Sequence, residues 1–381
     1  MSKVVIVSDF FYPHWTGIAR SIFLLAQALV KQKRVSSVSV LTNQHQAYLV
    51  TQKKVHQLEI NRFKVSLNLS RAKVSWSLLR HLPTAIKQAN VILINSPSIY
   101  SLPSVILAKL FKKKVIIFHQ GDLILPAGLI NKLIQFIFDA SHLIAFYLAD
   151  YLVTYTGDYL QNSRLLPKFK AKTTSLRIPG MFHKQVIHKV KDRRLMAQIK
   201  TRRESGKFIF GFAGRLVEEK GVDVLLKAVK LLARERSDFQ VLLAGESMDY
   251  EVEYRRLIDQ LSRSCKDQVS FLGLLSANEL SNFYQSLDWL ILPSRSECFG
   301  LVQAEAMSFD KPVLVADVVG AREVVAKTGF GLIFKSGNPV DLADKMNQAM
   351  QLDQAKLKIN YSKVEKYFID PVRLTAFFNL F

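Results

Sequence analysis

Two glutamates eight residues apart, Glu297 and Glu305, lie around a Phe-Gly pair between two short apolar runs. The runs Trp289–Leu292 and 312–315 have the composition of buried strands, so the segment 300–308 is predicted to be a helix. The first N–H groups of such a helix lack intrahelical partners and suit a diphosphate, with Glu297 on the preceding loop. Glu305 would lie about 7 Å further along the helix. One carboxylate can then bind sugar hydroxyls and the other ribose hydroxyls, although glutamates at this spacing are also common as solvated surface charges.

Two cations five residues apart, Arg215 and Lys220, follow the predicted strand Phe208–Ala213 in a glycine-containing run. Cations on loops are normally solvent-facing. These two, however, come at the carboxyl end of a predicted parallel strand, where open α/β sheets bind ligands. Their charges can neutralise a diphosphate and the additional charge that it gains as a leaving group.

The two segments together resemble motifs of the retaining glycosyltransferases of family 4. The run from Glu297 to Glu305 has the family's Glu-x7-Glu signature with Phe-Gly-Leu and Glu-Ala-Met, and it departs only at Asp310, where the family has glycine. The resemblance implies that Arg215 and Lys220 bind the donor phosphates. The donor-binding residues that it implies are Gly17, Gly214, Phe299, Gly300, Leu301 and Glu305. The residues proposed on the same basis to act in catalysis are His119, Arg215, Lys220 and Glu297.

Residues of the first half resemble the same family more loosely. Gly17 opens a predicted helix and matches the second glycine of the family's Gly-Gly loop, with Thr16 in place of the first. His119 ends a predicted strand, where a histidine is often structural, but it matches a family histidine for which the resemblance implies sugar contact. Asp122 and His14 are candidates for the acceptor side of the site.

The alternation of apolar runs with helical patterns predicts an α/β protein with doubly wound parallel sheets. At 381 residues the chain suits two domains. The resemblance implies the GT-B fold, in which two Rossmann-like domains face a central cleft. The predicted segments are an N-terminal acceptor-side domain at 1–182, a basic connector at 183–206, a C-terminal domain at 207–360 that binds the nucleotide sugar, and a C-terminal helix at 361–381 that packs back toward the N-terminal domain.

The net positive charge of the chain comes from its first half and the connector. Residues 1–182 carry 23 Lys/Arg against 6 Asp/Glu, residues 183–207 carry 9 against 2, and residues 208–381 carry 21 against 23. Either a nucleic acid or an anionic membrane surface could bind such a region. We favour the membrane because this half is also rich in apolar and aromatic residues.

Two segments raise the question of membrane contact more directly. Residues 123–152 are rich in Leu, Ile and Phe but are interrupted by charges, and we expect a buried helix of the first domain in preference to an interfacial one. Residues 68–87 mix basic and apolar positions, and the interfacial and ordinary surface readings of this segment remain open.

The predicted activity is transfer of a sugar from a nucleoside diphosphate sugar to a sugar or lipid-linked acceptor, in polysaccharide or glycolipid synthesis. The resemblance implies retention, with a donor phosphate oxygen accepting the acceptor proton, and no metal or cofactor. The two cysteines and the N-terminus predict a cytoplasmic location, and peripheral association with the cell membrane stays open. The alternatives are a nucleotide-sugar 2-epimerase of the same fold and a nucleic-acid-binding protein.

Overall fold

The computed structural model of the protein describes residues 1–14, 16–69, 72–125, 128–178, 182, 206–247 and 251–381. The chain divides into two compact units, the first formed by Met1–Gly180 with Asp370–Phe381 and the second by Met181–Ile369. The predicted connector 183–206 lies outside the described residues except for Gly206. The second unit ends nine residues beyond the predicted boundary at residue 360.

The first unit is built on a sheet of eight strands. The strands of this sheet are β1 Ser2–Ser8, β2 Val35–Gln44, β3 Gln52–Val55, β4 Leu58–Lys64, β7 Val91–Ser96, β8 Lys114–His119, β9 Tyr151–Thr154 and β10 Thr173–Ser175. The strands β5 Leu67–Leu69 and β6 Ala72–Val74 form a separate antiparallel pair. The order across the sheet is β10-β9-β8-β7-β1-β2-β4-β3, and only β3 is antiparallel to its neighbour. The order reverses beside β1, so a ligand crevice is expected where β1 and β7 end.

The helices of the first unit cover this sheet. They are α1 Gly17–Val30, α2 Trp76–Gln88, α3 Ser101–Leu110, α4 Leu129–Leu148 and α5 Gly157–Asn162, followed by a 3₁₀ helix at Leu166–Lys172. The strand β7 is buried along its whole length, as expected for a parallel strand with both faces covered.

The second unit has a parallel sheet of six strands. They are β11 Phe208–Ala213, β12 Phe239–Ala244, β13 Val269–Gly273, β14 Trp289–Leu292, β15 Val313–Ala316 and β16 Gly331–Phe334, in the order β13-β12-β11-β14-β15-β16. This is the doubly wound order of a dinucleotide-binding domain, with the switch point between β11 and β14. Its helices are α6 Val222–Leu232, α7 Val252–Arg263, α8 Ala277–Ser286, α9 Leu301–Met307, α10 Arg322–Thr328, α11 Pro339–Gln351 and α12 Gln354–Phe368, with a 3₁₀ turn at Glu218–Lys220.

The C-terminal segment differs from the single helix predicted over 361–381. A new helix, α13 at Pro371–Phe378, begins after α12 has ended, because Pro371 has no N–H to continue the first helix and Asp370 caps the second through the N–H of Arg373 at 3.0 Å. The end of the chain is bound to the first unit, where the guanidinium of Arg34 donates to Asn379 at 2.8 Å.

The prediction that 123–152 forms a buried helix was wrong. The helix α4 has the length and composition to cross a membrane, but only 17% of that window is buried. Its inner face buries His142, Ala145 and Phe146 against the unit, and most of its other apolar side chains are exposed. The sequence misleads here because polar residues of the helix, among them Gln135, Asp139 and His142, lie on the side that packs on the unit, whereas the apolar side is the exposed one.

The helix α2 forms most of the predicted segment 68–87, and its buried residues show how this part of the segment packs. Leu78, Leu82, Ala85 and Ile86 are buried, so its apolar face packs on the first unit. Its exposed positions include Arg80, which is typical of an ordinary amphipathic surface helix.

Candidate active site

The loops that follow β11 and β14 meet at the switch point of the second sheet. Gly221 has a φ of +67°, and a Cβ at this position would overlap the carbonyl group of Pro293. A side chain is therefore excluded on two grounds, backbone conformation and space. This close approach brings the end of the first loop against the beginning of the second.

Lys220 and Glu297 form an ion pair at this meeting point. The ammonium of Lys220 lies 2.5 Å from Oε1 of Glu297 and 3.9 Å from Glu219, and the Lys220 side chain is 18% exposed. Burial lowers the pKa of Lys220, but the charges of Glu297 and Glu219 and the hydrogen bond to Glu297 outweigh it and hold that pKa above its ordinary value. The amine is therefore charged at neutral pH, in a position where a ligand could still reach it.

The loop that carries Glu297 is held in place by its neighbours in sequence. Ser294, which is fully buried, donates to Oε1 of Glu297 at 3.0 Å. The N–H of Arg295 donates to the carbonyl of Glu219 at 2.8 Å, and its guanidinium donates to the carbonyl of Glu218 at 2.7 Å. These bonds connect the loop after β14 directly to the 3₁₀ turn that precedes α6.

Arg295 also makes a bidentate ion pair with a buried aspartate. Its two terminal nitrogens lie 2.8 and 2.9 Å from the carboxylate of Asp223, which also accepts from the hydroxyl of Tyr254 at 2.9 Å. Burial raises the pKa of Asp223, but the hydrogen bonds from Arg295 and Tyr254 outweigh it and lower that pKa to about 2. Asp223 thereby fixes the loop on which Glu297 lies.

Arg215 lies near this pair but is more exposed. It follows Gly214 at the end of β11, and its guanidinium is 3.8 Å from the carboxylate of Glu219. Gly214 itself donates its N–H to Ala244 at 2.9 Å in the neighbouring strand. Glu219 therefore lies within 4 Å of both cations that the sequence singled out.

The other donor-side candidates lie on or before α9. Glu305 is 8% exposed and accepts from the hydroxyl of Tyr284 at 2.6 Å. Phe299 is buried against Phe368, so its side chain serves the core. Gly300 caps the helix with a φ of +76°, and Leu301 begins it.

The candidates of the first unit lie where its central strands end. His119 is almost completely buried, with Nδ1 at 3.0 Å from the hydroxyl of Ser96 and Nε2 at 3.1 Å from Asp122. Asp122 also accepts from the N–H of Arg164 at 2.8 Å. Burial raises the pKa of Asp122, but the hydrogen bonds and charges of His119 and Arg164 outweigh it and lower that pKa. Both nitrogens of His119 thus have protein partners. The side chain of Asp122 is more accessible to solvent than that of His119.

A half-buried carboxyl group, Asp9, lies at the switch point of this sheet. Ser98 donates its hydroxyl to Asp9 at 2.6 Å and its N–H to Nε2 of His142 at 3.3 Å. Burial raises the pKa of Asp9 to about 7, although the hydrogen bond from Ser98 opposes the shift. Burial also lowers the pKa of His142 to about 4, so this imidazole is neutral.

Asp9 makes the stability of the protein depend on pH. Because its folded pKa is about 7 and its ordinary value 3.8, its contribution is full below about pH 4 and is lost as the pH rises through 7. We expect Asp9→Asn, which removes this titration, to gain stability relative to the unchanged protein between pH 5 and pH 8. Urea denaturation at pH 5 and pH 8 measures the free energy of unfolding of both proteins. If this free energy changes with pH in the same way in the two proteins, Asp9 does not have the expected effect.

The remaining departures from the family pattern have local explanations. Thr16 has an extended φ of −112° and its hydroxyl caps α1 by accepting from the N–H of Ala19 at 3.2 Å, so Gly17 simply begins the helix. His14 lies against the ring of His45, with centroids 4.7 Å apart. Asp310 has a φ of +59°, so the backbone keeps the left-handed conformation that glycine would favour.

The sequence did not single out several residues that position the site. Asp223, Arg295 and Tyr254 hold the Glu297 loop, Tyr284 holds Glu305, and Arg164 holds Asp122. The position of Asp223 in the first turn of a predicted helix was the signal that the sequence offered for it. In the part of the chain that the structure describes, no three His, Cys, Asp or Glu side chains are placed to hold a metal ion.

Comparison with known proteins gives a family match for part of the chain and a fold for nearly all of it. Residues 196–365 match the model of glycosyl transferases group 1. An uncharacterized glycosyltransferase of Methanocaldococcus jannaschii is 32% identical over 40% of this chain and 41% of its own length. A D-inositol 3-phosphate glycosyltransferase of Corynebacterium urealyticum is 31% identical over 39% of this chain and 36% of its own length. The chain therefore matches less than half the length of these curated relatives.

Solved structures extend the likeness to nearly the whole chain. Anabaena HepE in complex with UDP superposes with a TM-score of 0.73 at 18% identity, over 98% of this chain and 97% of its own. Sucrose-phosphate synthase from Thermosynechococcus elongatus gives a TM-score of 0.73 at 17% identity, over 97% and 95%. At such identities the likeness shows the fold alone, which is the predicted GT-B fold. Residues 196–365, less than half of the chain, match the glycosyl transferases of group 1, and the chain has the fold of the GT-B glycosyltransferases.

Proposed function

We propose that this protein transfers a sugar from a nucleoside diphosphate sugar to an acceptor hydroxyl. The observation that carries the proposal is the Lys220–Glu297 pair, which lies at the switch point of the second sheet with a cation and a carboxylate 2.5 Å apart. Ligands of open α/β sheets bind at such points. The pair offers one group suited to phosphate and another suited to sugar hydroxyls.

In this proposal Lys220 and Arg215 bind the diphosphate, and their charges stabilise it as it leaves. A diphosphate gains negative charge when the bond to the sugar breaks, and a fixed cation in a partly dehydrated site stabilises that charge most strongly. Binding of the diphosphate would draw Lys220 from Glu297 and release that carboxylate to accept from sugar hydroxyls. Glu297 then positions the sugar and is not a nucleophile.

We further propose retention at the sugar carbon, with a donor phosphate oxygen accepting the proton of the acceptor hydroxyl, and no requirement for a metal or cofactor. The support is the family resemblance of the Glu297–Glu305 segment together with the two cations, Arg215 and Lys220, that would balance the charge of the diphosphate. The acceptor would be a sugar or a lipid-linked sugar, bound by the first unit near Asp122 and His119. A role in cell-surface polysaccharide synthesis is suggested by a Staphylococcus aureus relative named as the capsular polysaccharide biosynthesis glycosyltransferase CapM, which is 24% identical over 46% of this chain.

A thermal-shift panel of UDP, GDP, ADP and their sugars tests donor binding. We expect one of the three bases to raise Tm, because a ligand at 100 times its Kd adds about 2.7 kcal/mol to the stability of the folded state. UDP is the first choice, since HepE binds it in a structure of the same fold. No shift with any nucleoside diphosphate, together with tight and salt-sensitive oligonucleotide binding, would contradict the proposal.

A further inference from the structure

The helix α4 exposes an apolar stripe along its whole outward face. Leu129, Leu133, Phe136, Ile144 and Tyr147 recur at the spacing of one helix face, opposite the side that packs on the unit. Their exposure ranges from 50% for Ile144 to 85% for Leu129. The stripe is about 27 Å long at about 1.5 Å per residue. An ordinary surface helix would carry polar residues on this face.

Lysines are concentrated on α4 and on or beside the two elements that contact it, α3 and the 3₁₀ helix. Lys109 of α3 binds Asp150, which follows α4, at 2.6 Å, and Lys172 donates to the carbonyl of Tyr147 at 2.6 Å. The ring of Phe169 in the 3₁₀ helix lies against that of Phe146 in α4. The lysines on these elements or directly beside them are Lys109, Lys112, Lys113, Lys132, Lys168, Lys170 and Lys172. The acidic residues of the helix and its end, Asp139 and Asp150, are both ion-paired with basic residues.

We infer that the outward face of α4 docks on the surface of an anionic lipid bilayer. An apolar stripe with lysines beside it is the pattern by which a helix lies in a membrane interface, with the lysines near the lipid head groups. A second copy of the chain is a poorer occupant, because a two-fold contact would pair this surface with an identical basic surface, which offers the lysines no negative partner. The helix lies along the bilayer and does not cross it, because His142, Ala145 and Phe146 fix its inner face to the protein.

The inner face of the same helix contacts the cluster that we assign to the acceptor. The ring of Phe146 lies 5.0 Å from that of His119. Asp139 makes a bidentate ion pair with Arg164, whose N–H donates to Asp122. Docking through α4 would therefore hold the acceptor cluster at the membrane surface, where a lipid-linked acceptor is found. This second step rests on the proposed function, whereas the docking itself does not.

Vesicle flotation of the full chain tests the docking. We expect the protein to float with vesicles of phosphatidylcholine and phosphatidylglycerol at low salt, and much less with phosphatidylcholine alone or at high salt. The double variant Leu133→Ser, Phe136→Ser should bind at least about tenfold more weakly, because two large apolar side chains no longer enter the interface. The matched control is Leu274→Ser, an equally exposed leucine of the second unit, which should leave binding unchanged.

Three results would distinguish failure of this inference from failure of the proposed function. Equal flotation of the double variant and the unchanged protein would overturn the docking surface. A protein that is dimeric without lipid, becomes monomeric in the double variant and does not float would assign α4 to a second copy and also overturn it. The UDP thermal shift is measured on all variants, and its loss everywhere with flotation intact would overturn the link to an acceptor. Because UDP binding reports on the second unit and α4 belongs to the first, a far-UV circular dichroism spectrum and a Tm equal to those of the unchanged protein show that the double variant is folded.

Discussion

Replacing Lys220 by Met is expected to lower kcat/KM for the donor by about 10³-fold, because the variant loses the cation that stabilises the leaving diphosphate. The methionine keeps the length of the apolar stem, so the change removes mainly the charge. It also leaves the Glu297 carboxylate, 12% exposed in the unchanged protein, without its closest cation. The measurement is the initial rate of nucleoside diphosphate release from the donor that the thermal-shift panel identifies.

Lys230→Met is the matched control for this change. Lys230 lies on an exposed position of α6 in the same unit, and its loss should change the rate by less than about twofold. Glu297→Gln should retain more activity than Lys220→Met, because an amide can still bind a sugar hydroxyl. Equal and complete inactivation by Glu297→Gln would instead identify Glu297 as a nucleophile and refute its proposed role.

Asp223→Ala is expected to destabilise the second unit by about 3 kcal/mol, because it leaves the Arg295 guanidinium without its buried partner. The Asp223 side chain is 4% exposed, and its carboxylate joins Arg295 to Tyr254. Since Arg295 holds the loop on which Glu297 lies, the rate of donor turnover should fall as well. Chemical denaturation followed by far-UV circular dichroism measures the first effect.

The chain contains a matched exposed pair for comparison. Arg236 and Asp238 are also joined by two hydrogen bonds, at 2.9 and 2.6 Å, but the Asp238 side chain is 56% exposed. Asp238→Ala should therefore cost less than about 1 kcal/mol and leave turnover unchanged. If the two alanine variants are equally stable, the Asp223–Arg295 pair does not position the loop.

The sequence predicted the strands of the second sheet closely. The bounds of β11 and β14 agree with the structure, and β15 is displaced by one residue from the predicted run 312–315, because buried parallel strands are continuous apolar runs with clear ends. The same reasoning placed Arg215, Lys220 and Glu297 on loops at the carboxyl ends of neighbouring strands. The structure adds an ion pair between Lys220 and Glu297, which the sequence did not predict.

Interactions between distant residues could not be predicted in the same way. Arg295 and Asp223 are 72 positions apart, and Tyr284 and Glu305 are 21 apart, so neither pair shows a local pattern. The exposure of α4 was missed because the composition of a helix does not state which neighbours cover it. The departures at Thr16 and Asp310 were ambiguous in sequence, and the backbone angles resolve them.

Calorimetric titration of UDP, or of the nucleoside diphosphate that the panel selects, against three proteins tests the central claim most directly. We predict one binding site on the unchanged protein, the same Kd for Lys230→Met and a Kd at least about tenfold weaker for Lys220→Met, since a charged hydrogen bond to phosphate is lost. If no nucleoside diphosphate binds, or if Lys220→Met binds it as tightly as the unchanged protein, the switch point between β11 and β14 is not a donor site.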